Sequence, residues 1–330
     1  MAPPFDAVLV VAFGGPQGPD DIRPFLANVL RGRRIPPARI EEVAKHYERF
    51  GGVSPLTAIT MRQAEGLRAE LARQGLDLPV YVGMRNWHPL LPDTLGAMAA
   101  DGVRRAIGFI GAAHRSYSSC TQYRQNVSDA RAEILAKGCH DITVTYVDDW
   151  HAHDAFVDTN ARHIAAAIGS LPEAMRGRAR IVFTAHSVPS GMAGAARYRT
   201  QLEESARLVA ERLGRQDWAL VFQSRSGRPE DPWLEPDVCA YLKTERTRGL
   251  DAVVLCPIGF LCDHIEVLYD LDTEAAEVCR EIGLVMTRAE AVNDDAGFIE
   301  MMADVVGRTW SRYRKGRPLP IGPTPPVENR

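Results

Sequence analysis

Continuous runs of Val, Ile, Leu and Phe recur along this chain between amphipathic segments, and that alternation limits the fold more than any other feature. The runs lie at 5–13 (FDAVLVVAF), 79–84, 104–111, 142–147, 179–186 (ARIVFTAH), 218–224, 251–260 (DAVVLCPIGF) and 283–290. Several are apolar at nearly every position, which suits strands buried on both faces and hence parallel sheets covered by helices. Helical periodicity fills the intervals at 57–75, 88–102, 122–138, 153–171 and 198–214. Gly75, Gly102, Gly138 and Gly214 stand where helix C-caps belong. Such alternation implies a doubly wound α/β architecture. The chain also reads as internally doubled. FDAVLVVAFGGPQG and RIVFTAHSVPSG are both strand-then-Gly/Pro-loop units, and a join near 172–178 would leave two halves with a cleft between them. One fused sheet is the alternative.

Several function classes fall away on composition. A net charge of −3 over 330 residues offers no basic stripe for phosphates, so nucleic acid is not expected as a partner. No apolar run reaches bilayer length, and the first residues enter a strand pattern without a basic lead, so neither a transmembrane segment nor a signal peptide is expected. Cys120, Cys139, Cys239, Cys256, Cys262 and Cys279 form no C-x-x-C pair, which fits reduced thiols and a cytoplasmic location. AFGGPQG (12–18) follows the first strand but is not G-x-G-x-x-G, and no phosphate-binding P-loop is present. Nucleotide binding is disfavoured.

Two strand ends carry the chemistry. His186 closes the run at 179–186 and begins HSVP, where Pro189 prevents a helix; GMAGAARYR (191–199) then supplies small residues. The run at 251–260 feeds LCDHIEVLYDLDTEAAE (261–277). If both runs are parallel strands of one sheet, His186 and Glu266 emerge at one carboxyl edge, where open α/β sheets place their ligands. An imidazole facing a carboxylate can hold a divalent metal or accept protons. Glu266, Asp270 and Glu274 recur every four residues and make a stripe down one helical face, which reads either as a solvated acidic face or as a relay for cations or protons. His264, two residues from Glu266, falls nearly opposite on a helix and is expected to support the site from behind. A Ser/His/Asp hydrolase lacks its G-x-S-x-G elbow here, and Ser187 is too close in sequence to fold back on His186. The loop 222–238, FQSRSGRPEDPWLEPDV, reads as a cleft wall or as a plain surface connection.

The ordered set GGVSPLT (51–57), HSVP (186–189), FQSRSG…PWLEPDV (222–238) and PIGFLCDHIEVLYDLDTE (257–274) resembles the ferrochelatases, and the resemblance runs over nearly the whole chain. It implies a class II chelatase-like fold: two Rossmann-like, parallel-sheet domains with a porphyrin cleft between them. Residues 1–172 would form the first domain and 173–313 the second, carrying His186 and Glu266, with the last helix packing back on the first half. Residues 314–330 would be a disordered Pro-rich tail. The implied activity is insertion of Fe²⁺ into a porphyrin with release of two protons. His186 and Glu266 match the family's metal-site pair, and Asp270 and Glu274 its acidic ladder. The opening AFGGPQGPDDIRPFLANVLRGR, YSSCTQY (117–123) and HIEVLYDLD are most similar to the branch that metallates coproporphyrin III. By similarity Ser54 and Tyr123 would bind propionate or ring edge, with Tyr47 and Arg31 nearby. Where some members of that branch carry a tyrosine, Phe13 can only pack against the macrocycle. Some relatives hold a [2Fe–2S] cluster near the C-terminus; no cysteine follows Cys279, so no cluster and no resident cofactor is expected, Fe²⁺ being a substrate. Transient contact with neighbouring haem-pathway enzymes is the expected partnership. Protoporphyrin IX as substrate, a non-catalytic haem or porphyrin carrier, and a cobalt chelatase drawing on His114 and His264 are the alternatives.

Overall fold

The computed structural model describes residues 3–32, 36–226 and 230–315. Most of the Pro-rich tail, and the centre of the 222–238 loop, therefore lie outside the described residues. The first half runs β1 (Ala7–Ala12), α1 (Ile22–Val29), α2 (Pro37–Arg49), α3 (Pro55–Arg73), β2 (Val80–Met84), α4 (Leu91–Ala100), β3 (Arg105–Ile110), α5 (Gln122–Ala136), β4 (Thr143–Tyr146) and α6 (Asp154–Ser170). The short α7 (Glu173–Arg176) leads into β5 (Arg180–His186), α8 (Ala195–Arg212), β6 (Trp218–Gln223), α9 (Val238–Thr247) and β7 (Ala252–Cys256). Next come α10 (Ile265–Tyr269), α11 (Ala276–Glu281), β8 (Val285–Arg288) and α12 (Ala296–Arg314).

Each apolar run becomes a parallel strand, in two separate four-stranded sheets ordered β2-β1-β3-β4 and β6-β5-β7-β8. The two orders are the same when counted within each half, so the doubling seen in the sequence is a doubling of topology. β1, β5 and β7 are central, and their apolar side chains are shielded on both faces. The edge strands β4 and β8 are only half-buried, which explains their more mixed sequences.

The halves do not keep their helices to themselves. α6 packs against α8, β7 and β8, while α12 lies on α3, α6 and β3. One core cluster consequently runs through both halves, with Trp150, Phe156 and Phe298 ring against ring where α6 and α12 cross. β5 pairs with β7 in parallel register from Arg180↔Val253 to Phe183↔Cys256, so their carboxyl ends open on the same edge. The segment after β7 is drawn onto β5 at Gly259: its N–H donates to the Thr184 carbonyl at 3.1 Å, and a Cβ there would lie 2.7 Å from the Ala185 Cα. Only glycine allows that approach. It seats the chain entering α10 beside the end of β5.

Candidate active site

His186 is the last residue of β5, and its backbone is held from three sides. The Tyr198 hydroxyl on α8 donates to the His186 carbonyl at 3.2 Å. The next amide, Ser187 N–H, donates to the Gln223 carbonyl at 2.8 Å. The Ser187 hydroxyl donates to the Leu234 carbonyl at 2.8 Å, sewing the HSVP turn to the outer loop wall. The imidazole Nδ1 meets the Ser187 carbonyl oxygen. A carbonyl only accepts, so Nδ1 carries a proton, and in the neutral ring Nε2 is then the nitrogen with a free lone pair. That lone pair faces the Glu266 carboxylate, with Nε2 to Oε2 at 3.8 Å and both side chains little more than a third exposed. The span is too long for a hydrogen bond. It is close to what two donors would subtend across one shared divalent ion, each roughly 2.1 Å from it.

Glu266 occupies the first turn of α10, where the free N–H groups favour a negative charge. The helix then loosens into a π turn, Asp270–Ala275, before tightening again in α11. The widened turn matters for the acidic stripe. Four residues of α-helix overshoot a full turn by about 40°, whereas four residues of a π turn, with roughly 4.4 per turn, fall short by a similar angle. Glu266, Asp270 and Glu274 therefore stay on one line instead of drifting around the helix. Burial first, and then the neighbouring Glu266 and Glu274 charges, push the Asp270 carboxyl up to about 7, against the opposing hydrogen bond from the Ser224 hydroxyl. Gln223 Nε2 also donates to Asp270 Oδ2, at 3.2 Å. Glu274 is raised too, first by burial and then by Asp237.

The first half supplies the other side. Tyr47 on α2 and Tyr123 on α5 are buried phenols whose pKa burial raises; the Glu266 charge adds to the rise in both, placing them within its electrostatic reach. Phe13 follows β1, half-buried and edge-on to Phe25 at 6.3 Å. Ser54 is buried at the N-terminus of α3, tucked against Gly15 so closely that a Cβ there would lie 2.6 Å from the Ser54 Cβ. Arg31 stands apart: it is exposed after α1 and donates to Asn28 Oδ1 at 2.7 Å. Among the described residues it makes no hydrogen bond or ion pair with His186 or Glu266.

Sequence reasoning missed Arg85. It follows β2 at the carboxyl edge of the first sheet, with its guanidinium 4.5 Å from the Tyr123 ring centroid and 5.6 Å from that of Phe13. Nε donates to Asn126 Oδ1 at 2.6 Å, and among the described residues no carboxylate pairs with it. The rule that singled out His186, a functional group at the carboxyl end of an apolar strand, would have found Arg85 just after β2. His114 and Cys262 turn inward. His114 is 2% exposed, its Nε2 is 3.0 Å from Ser205 Oγ, and burial lowers its pKa to about 3. The Cys262 thiol is buried, pushed up to about 12, and 3.6 Å from Gln63 Nε2.

Comparison with known proteins gives a consistent picture. The family model described as ferrochelatase matches residues 5–309. A ferrochelatase of Rhodopirellula baltica is 46% identical over 308 residues, covering 92% of this chain and 86% of that one. A coproporphyrin III ferrochelatase of Mycolicibacterium smegmatis is 44% identical over 305 residues, 92% and 89% of the two chains. Another, from Nocardia farcinica, is 44% identical over 309 residues, 91% and 87%. Among solved structures, SirB from Bacillus subtilis with Fe³⁺ aligns over 94% of this chain and 98% of its own, with a TM-score of 0.59 at 11% identity, a likeness of fold.

Proposed function

This chain belongs to the ferrochelatase family, and from that premise we propose that it inserts Fe²⁺ into coproporphyrin III, giving Fe-coproporphyrin III and two protons in haem biosynthesis. The observation that carries the reading is the pair His186 Nε2 and Glu266 Oε2, standing 3.8 Å apart at the carboxyl end of β5 and the start of α10. Imidazole and carboxylate together suit a borderline ion such as Fe²⁺. Among the described residues no three His, Cys, Asp or Glu side chains gather into a metal cage. Two donors are what a metal in transit requires, because it has to leave them for four pyrrole nitrogens.

One lone pair cannot hold iron and a proton at once, so the two roles of His186 follow each other. While iron lies between Nε2 and the carboxylate, both are occupied. As it moves onto the macrocycle, two pyrrole N–H protons are displaced and two protein acceptors become free, which keeps protons and charge in balance. Asp270, titrating near 7, and Glu274 beyond it then carry protons outward along the straightened acidic line. Phe13, half-buried after β1, offers an apolar face against which a bent macrocycle would expose its nitrogen lone pairs. Coproporphyrin brings four propionates. Arg85, with no carboxylate partner among the described residues, supplies a charge for one, and Ser54, Tyr47 and Tyr123 supply hydroxyls.

No helix among the described residues is long and apolar enough to cross a membrane, and six free cysteines fit a cytoplasmic setting. Product passes on through transient contact with a neighbouring haem-pathway enzyme in this reading. The test is anaerobic incubation with Fe²⁺ and either coproporphyrin III or protoporphyrin IX, following the Soret band. Coproporphyrin is expected to be metallated faster. His186→Ala and Glu266→Gln are expected to bind porphyrin and lose metallation by a factor of about 10² to 10⁴. Tight porphyrin binding by the unaltered protein without metallation would make it a carrier.

A further inference from the structure

The residue at the N-terminal cap of α10 is a histidine, and its ring makes the capping bond. His264 has extended backbone (φ −107, ψ 179), and its Nδ1 accepts the N–H of Val267 at 3.3 Å. Val267 is the third residue of the helix, the position an N-cap side chain normally reaches. The His264 carbonyl accepts from Leu268 N–H at 3.0 Å, the first bond of the helix proper. The ring is braced edge-on by Phe260 at 4.9 Å. Ile265 and Val267, on either side of Glu266, are buried at 2% and 0% exposure, so the turn has no slack once the cap is made.

We infer that His264 is a positioning residue that aims Glu266 through this cap, and that it meets the site only as an N–H donor, never as a metal ligand. The chemistry follows from one bond. An amide N–H donates, so the nitrogen accepting it is bare, and in a neutral ring the proton then sits on Nε2. For Nε2 to offer a lone pair to iron the proton would move to Nδ1, where it would point at the Val267 N–H. Ligation by His264 would therefore uncap the turn that carries Glu266, the other half of the iron-binding pair. Asn, Ser and Asp cap helices as well as or better than histidine, so a capping role is transferable to residues that cannot replace imidazole in metal binding or proton transfer. The inference rests on the proposed site but concerns a different residue, and it is read from ratios to the unaltered protein.

Two measurements test it. In protein carrying ¹⁵N-histidine, long-range ¹H–¹⁵N correlation, with His264→Asn used to assign the signal, is expected to show a pyridine-type Nδ1 and a pyrrole-type Nε2 for His264. The reverse pattern overturns the inference whatever the variants do. In anaerobic turnover, His264→Ala is expected to lower kcat on the order of tenfold with KM for porphyrin unchanged, while His264→Asn and His264→Ser recover to within about threefold of the unaltered enzyme. A loss of 10² or more shared by all three variants would mark acid–base or ligand chemistry at His264 and sink the idea, as would an alanine variant as active as the unaltered enzyme. Failure of the unaltered protein to metallate any porphyrin would instead refute the proposed function, while the ring's tautomer would still decide the cap.

Discussion

Replacing Asp270 with asparagine is expected to stabilise the fold at alkaline pH and to leave it nearly unchanged in acid. In the native protein burial and two neighbouring carboxylates push this group up to about 7 from its ordinary 3.8. On unfolding it returns to ordinary behaviour. Between those values the unfolded chain binds fewer protons than the native one, so the stability of the wild type falls as pH rises through the window. Its contribution is fully present below about 4 and gone above about 7. Asparagine, which never ionises, removes the dependence. Between about pH 5 and about pH 8 two units of the shift are crossed, a ceiling of roughly 2.7 kcal/mol at 1.36 kcal/mol per unit. Solvent screening of this half-buried group brings it down to about 1.4 kcal/mol. Urea unfolding of both proteins at the two pH values measures it as the change in their stability difference. A difference that is flat with pH, or that shrinks as pH rises, refutes a buried, proton-holding Asp270. The same substitution should slow metallation, since a strained acid at a cleft is there for chemistry rather than for the fold.

Three further outcomes follow from named contacts. Ser224→Ala removes the hydrogen bond that favours ionised Asp270, and should move the acid limb of the kcat–pH profile, expected near 7, upward by about one unit; an unmoved limb assigns it to another group. Arg85→Ala should raise the KM for coproporphyrin III about tenfold with kcat little altered, and should matter less for protoporphyrin, which has fewer propionates; equal effects on the two would remove Arg85 from propionate recognition. Phe298→Ala, in the aromatic cluster with Trp150 and Phe156, should cost about 3–5 kcal/mol in urea unfolding, and a loss below about 1 kcal/mol would show that the halves do not depend on that junction.

What the sequence made legible is what depends on neighbours along the chain. Buried parallel strands announce themselves because both faces need apolar residues, so β1, β5 and β7 are plain in the sequence, and with them the meeting of His186 and Glu266. What stayed hidden depends on distant partners. α1 is short and α2 largely polar, and the apolar residues of both find their partners in Ile265 and Leu268, more than 200 residues away, with which Ile22, Phe25 and Tyr47 form one cluster. The stacking of His46 on Tyr269, centroids 3.6 Å apart, belongs to the same contact. The π turn at Asp270–Ala275 has no composition of its own; an even four-residue spacing of acids was visible, but not the backbone change that keeps them in line. Arg85 looked like an ordinary surface arginine until Tyr123, Phe13 and Asn126 closed around it.

Helix α12 lies on the first half and α6 on the second, so each half would lose part of its interior if the two swung apart. A molecule tied in this way resists flexing at the seam between its lobes. A tetrapyrrole bound between them would then take its curvature from walls already in place, instead of being squeezed by closing jaws. For the same reason neither lobe should survive as an isolated fragment: a chain cut near residue 175 would be expected to assemble only when both pieces are made together.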